Sequence, residues 1–185
     1  MTLEDGTFNS EALLANFIKR SKKWVVEQRG RLRENSVPLS TEERRLFSGF
    51  FPEEILNLAR FTSVPTVSNP DFYSEIPSSF PRLELDRMVA FTFIDTIAES
   101  QTVKPSPANV TATRFHELVH VVQGQILGVD AVVEEYLRQW AQSGFSYWGI
   151  PLEKQAYRLQ IKFYREPKNG FPVVDAVSKD IQTII

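Results

Sequence analysis

The chain has 185 residues, 42% of them hydrophobic and fourteen of them Phe, enough to bury a real core and too apolar for a disordered segment. Its 21 Lys and Arg against 23 Asp and Glu leave a net charge of −2, which argues against nucleic acid or an anionic membrane surface as the main partner. There is no cysteine, so disulfides, thiolate metal sites and a cysteine nucleophile are excluded.

The opening MTLEDGTFNSEALL carries acidic residues where a secretory leader carries positive charge, and no window approaches a membrane span. A soluble, cytoplasmic protein is expected, with residues 1–185 forming one domain. Residues 10 to 29 read as a helix capped by Ser10, with Leu13, Leu14, Phe17, Ile18 and Val25 at helical spacing and Gly30 as its stop. Lys19, Arg20, Lys22 and Lys23 within it read as a solvated face rather than a nucleic-acid patch. Ser40 and Glu43 have capping-box spacing, and Pro52 opens a further short helix at PEEILNLA.

The character then changes. RFTSVPTV is β-branched, SNPDFYSEIPSSFPR is a Pro- and Ser-rich connection, and MVAFTFIDTIAES, Met88 to Ser100, reads as one strand bent near Asp95. Three helices are expected next: Pro107 to Gln123, a second over DAVVEEYLRQWAQSG capped by Asp130 and stopped by Gly144, and a third at PLEKQAYRLQIKFYRE with Pro151 first. The tail VVDAVSKDIQTII adds a short helix. A helical part at 1–60, strands at about 60–100 and helices at about 107–166 make an α+β chain rather than an alternating one.

The first of those three helices contains RFHELVHVVQGQ, with the chain's two histidines, His116 and His120, four residues apart. On a helix they are about 40° apart around the axis and one turn apart along it, so both imidazoles can converge on one ion. Glu117, turned about 100° from His116, is poorly placed as a ligand but able to reach a water on the metal and take its proton. Two histidines fall four apart by chance in about 1% of arrangements, and a following Glu brings the chance to the order of one in a thousand. Phe115, Leu118, Val119, Val121 and Val122 would bury the helix around the motif. Buried histidines without an ion would need other hydrogen-bond partners. A metal site, Zn(2+) in particular, is the expectation.

Catalytic zinc commonly has three protein ligands and an open position. No third histidine exists, and Ile126 stands where a metzincin would have one, so a carboxylate must serve. The candidates are Asp130, Glu134, Glu135 and Glu153 downstream and Asp95 and Glu99 upstream.

HELVHVVQ followed by a helix and then PLEKQAYRLQ resembles the small gluzincin-type zinc metallopeptidases, which pair an H-E-L-x-H-V-x-Q helix with a later P-L-E-x-x-A-Y helix. The resemblance covers about Thr113 to Gln160, a quarter of the chain, and fades upstream. It implies a zincin-like fold, mainly helical with a small β-sheet next to the HExxH helix, and it implies Glu153 as third ligand. Ala156, small and on the side of Glu153, would let the two helices approach closely. The plain alternative for Glu153 is a first-turn carboxylate favoured by the helix dipole.

The reading is thus a zinc-dependent hydrolase, a metallopeptidase acting on a peptide or protein substrate, with His116, His120 and Glu153 as ligands and Glu117 as base. Tyr157, four residues after Glu153, is the expected donor to the developing oxyanion, ahead of Tyr147, Tyr136 and Arg158. Phe91 to Ile97 offers an edge for an extended substrate, and Trp140, Phe145, Tyr147 and Trp148 a pocket lining or core. The competing function is a zincin-like binding or structural module without turnover.

Overall fold

The structure, a computed structural model, describes residues 10–184. The chain is α+β, with seven helices and one three-stranded sheet among those residues. Helix α1 (Ser10–Arg33) is followed by α2 (Thr41–Phe47) and α3 (Glu53–Leu58), then strand β1 (Arg60–Val64). A long connection with two 3-10 turns leads to β2 (Ala90–Phe93) and β3 (Thr96–Ser100). The rest is helical: α4 (Val110–Leu127), α5 (Val129–Gln142), α6 (Pro151–Arg165) and α7 (Val173–Ile184). No helix among the described residues is long and apolar enough to cross a membrane.

Local signals account for most of these boundaries. The Ser40 hydroxyl accepts from the Glu43 N–H while the Glu43 carboxylate accepts from the Ser40 N–H, so the capping box closes in both directions. At the end of α5, Gly144 takes φ 68°, its N–H bonds the carbonyl of Ala141, and the N–H of Phe145 bonds that of Trp140. That is a full Schellman closure, and the left-handed position explains the glycine. Pro151 is the first residue of α6, as expected.

Four expectations are corrected. Helix α1 does not stop at Gly30 but runs on to Arg33, while the expected cap by the Ser10 side chain lies outside the described residues. Helix α4 runs four residues beyond Gln123, to Leu127. Asp130 is not the cap of α5: Gly128 is, at φ 83°, and Asp130 sits in the first turn. Met88 to Ser100 is a hairpin rather than one bent strand. Its turn falls at Ile94 and Asp95, with Ile94 at φ 65° and Phe93 paired with Thr96.

The hairpin places β3 in the middle of the sheet, antiparallel to β2 and parallel to β1, and leaves β2 at an edge. Successive residues of β3 face opposite sides, so Ile97 enters a core with α2, α3, α4, α6 and α7 while Ala98 enters a second core with α1 and α5. Phe115 anchors the first core, stacked on Phe163 at 4.4 Å. Trp140 and Phe17 anchor the second. In α1, Arg20, Lys22 and Lys23 are paired with Glu75, Glu134 and Glu27.

Two ionic clusters fix the frame around α4. Arg114 donates two bonds to the Glu99 carboxylate of β3, at 2.7 and 2.6 Å, pairs with Glu43 of α2, and lies over the Phe61 ring. Asp95 in the hairpin turn is buried between Arg29 and Arg33 of α1, at 2.7 and 2.8 Å.

Candidate metal centre

Helices α4 and α6 share the most extensive contact between any two elements. Ala156 is fully buried, as a close approach requires. Side-chain bonds run from His116 to Gln160, from His120 to Glu153 and from Gln123 to the Leu152 carbonyl, so the two helices lie antiparallel. The amide N–H of Leu152, an orphan of the first turn, is taken by the Gln139 side chain of α5.

Across this contact the Nε2 atoms of His116 and His120 face each other at 3.0 Å, and the Glu153 carboxylate lies 3.2 Å from the first and 3.5 Å from the second. The three donor atoms fall within 4.8 Å of one another, the one such grouping of His and carboxylates among the described residues. All three side chains are buried or nearly so.

The imidazoles are set from behind. His120 Nδ1 bonds Gln123 Oε1 at 2.7 Å. The Gln123 amide group donates to the Leu152 carbonyl and to Gln155 Oε1, both at 2.9 Å, so its oxygen must be the atom facing the histidine. Nδ1 therefore carries a hydrogen, and Nε2 faces His116 and Glu153. His116 Nδ1 bonds Gln160 Oε1 at 3.1 Å in the same manner. Two ring nitrogens and a carboxylate converging in a buried space are able to hold a cation between them. The donor set, two nitrogens and one oxygen with Nδ1–H groups held by second partners, fits Zn(2+).

Without a metal ion the same groups hold a proton, which a metal would displace. Burial alone would raise the Glu153 carboxyl, but His120 and His116 beside it hold it well below the usual carboxylate range. Burial would lower His120, yet Glu153 and then Glu117 push it up to about 9. Tyr136 donates to Glu153 Oε1 at 2.7 Å and Tyr147 to Oε2 at 2.8 Å. Burial and the neighbouring Glu153 raise both phenols, and burial raises Tyr157 as well, so all three remain protonated donors at neutral pH.

Glu117 is buried on the β2 side of α4, where the Thr92 hydroxyl donates to its Oε2 at 2.6 Å. Tyr157 sets its ring at a 57° tilt beside His116, 4.4 Å between centroids, and its hydroxyl lies 3.4 Å from that of Tyr147. Because Tyr147 has its one hydrogen on Glu153, the bond between the two phenols is donated by Tyr157. A cleft of about 550 Å³ opens over these groups and is lined by His116, Glu117, Tyr147, Trp148, Tyr157 and Gln160.

The other third-ligand candidates are engaged elsewhere. Asp95 pairs with Arg29 and Arg33, Glu99 with Arg114, Glu134 with Lys22 and Arg138, and Glu135 with Gln139. Asp130 is in the first turn of α5, outside the donor group. Arg158 pairs with Asp180 of α7, away from the cluster. Trp140 is core, whereas Trp148 stands exposed at the cleft. Thr92, Gln123 and Gln160 escaped sequence reasoning. Gln123 and Gln160 follow His120 and Glu153 by three and seven residues, spacing compatible with a shared face, but nothing in the sequence says which polar residue turns inward.

No family model, curated protein or solved structure matches the chain.

Proposed function

We propose that the protein is a zinc-dependent hydrolase of the zincin type, cleaving peptide bonds, with His116, His120 and Glu153 as the metal ligands. The observation that carries this reading is the joint geometry: three donors within 4.8 Å of one another, and Glu117 lining the same cleft as His116. A purely structural zinc site has no use for a carboxylate at Glu117, held by Thr92 in the cleft that His116 also lines. When bound, zinc would polarise the substrate carbonyl and bring the pKa of a water to about 7.

The chain's own groups divide the remaining work. Tyr136 and Tyr147 bond the two Glu153 oxygens and so keep the carboxylate oriented toward the histidines. Glu117 takes the proton of the attacking water and hands it to the departing amine. Tyr157 donates its hydrogen to the carbonyl oxygen as charge grows there, giving up only the 3.4 Å bond to Tyr147. The edge position of β2, beside Glu117, suits an extended peptide laid along the cleft.

The test is metal analysis followed by a cleavage assay on a mixed peptide library. One zinc per chain and cleavage by wild type but not by Glu117→Gln are expected. A protein with no affinity for zinc, or equal cleavage by both forms, refutes the reading.

A further inference from the structure

The donor set also lines a second cavity, of about 110 Å³. Its far wall is α1, through Phe17, Trp24 and Val25, and its sides are Leu85 of the connection and Val132 and Leu137 of α5. His116, Glu117, Met88 and Tyr147 line both this chamber and the open cleft, so the chamber opens beside the reacting groups. Among the described residues, the charge-bearing side chains on it are His116, His120, Glu117 and Glu153 themselves, with no Lys or Arg.

Protein interiors normally fill such a volume, and an unfilled one costs stability. An apolar chamber kept open, at the mouth of a catalytic cleft, is what a recognition pocket requires. Its size is of the order that holds a benzene-sized group, since a cavity of about 150 Å³ takes up benzene. Resting on the hydrolase reading above, we infer that this chamber receives a bulky uncharged apolar side chain, Leu- or Phe-sized, of the residue flanking the bond that is cleaved. The chamber thereby gives α1 a function: its buried face sets which substrates fit.

Zinc-loaded full-length protein is tested on fluorogenic peptides carrying Ala, Leu, Phe, Lys or Asp on either side of the central bond. At one flanking position, kcat/KM for Leu or Phe should exceed that for Ala, Lys or Asp by at least about tenfold. Val132→Phe, which fills the chamber, should reduce the ratio of Leu or Phe to Ala by about tenfold or more with one zinc retained per chain. Met88→Trp, at the mouth, is the second variant should the first misfold. In parallel, fluorine NMR follows p-fluorotoluene, which should bind wild type and neither variant.

Cleavage without an apolar preference, or with one that both variants keep, overturns the inference and leaves the hydrolase reading standing. If zinc-loaded wild type cleaves no peptide, the hydrolase reading falls and p-fluorotoluene alone decides. Binding that both variants abolish then supports an apolar recognition chamber, and absence of binding overturns it.

Discussion

Gln123 accepts a 2.7 Å hydrogen bond from His120, and the orientation of its carboxamide is fixed by two acceptors on its other side, the Leu152 carbonyl and Gln155. A partner of this kind holds the ring and its tautomer, and its loss typically weakens metal binding 10–100-fold. Gln123→Leu is therefore expected to lower zinc affinity by about 10–100-fold in competition with a chromophoric chelator, with the helical circular dichroism preserved. Unchanged affinity would show that the tautomer needs no such support.

The position of Glu153 against both imidazoles leads to a ranking. Glu153→Gln should lose zinc on dialysis far faster than Glu134→Gln or Glu135→Gln, whose carboxylates bond Lys22, Arg138 and Gln139 instead. The reverse order would assign the third ligand to α5.

Glu117 and Tyr157 should separate chemistry from metal binding. Glu117→Gln is expected to hold zinc as wild type does and to lose about 10²–10⁴-fold in kcat. Tyr157→Phe should lower kcat by about 10²-fold with KM and zinc content little changed. Tyr147→Phe, by contrast, removes a donor to Glu153 and should show its effect in zinc affinity. An identical profile for the two tyrosine variants would contradict the roles given to them.

Asp95 makes stability depend on acid pH. Burial would raise its carboxyl, but the bonds from Arg29 and Thr96 and the charge of Arg33 hold it below its ordinary value of 3.8. A carboxylate depressed in the folded state contributes stability that is complete above the unfolded pKa and is lost as pH falls through the folded one. The loss therefore lies below about pH 4. Asp95→Asn should destabilise the fold at pH 7 by about 2–4 kcal/mol, since it leaves two partly buried guanidinium groups without their anion. In urea titrations the variant and wild type should converge as pH drops below 4; a constant gap down to pH 2 would disprove the assignment.

The same residue explains what the sequence hid about the fold. Ile94 at φ 65° is a β-branched residue in a conformation that disfavours it, so no Gly or Asn marks the hairpin turn. What stabilises the turn is Asp95 gripped by Arg29 and Arg33, contacts more than sixty residues away in the chain. Gly30 lies between those two arginines, and its helix-breaking cost of about 1 kcal/mol is outweighed because the helix must continue for Arg33 to reach Asp95. Both misread boundaries thus trace to one ion cluster. Motifs whose information is local were legible: the capping box at Ser40, the stop at Gly144, the start at Pro151 and the histidine pair itself. The donors around Glu153 and the carboxamides behind the histidines were not, because their positions depend on how three helices meet.

The hydrogen bonds behind His120 do not end at Gln155, which donates onward to Asp180 of α7 at 3.1 Å, where Arg158 also binds. A polar thread thus runs from the last described helix through α6 and α4 to the imidazole. Loosening of α7 would be felt first as a ring free to rotate, well before the domain melted, so ion affinity is the more sensitive gauge of that helix's docking. Hydrogen exchange in α7 should slow when zinc is added, the effect passing through Gln155 and Gln123.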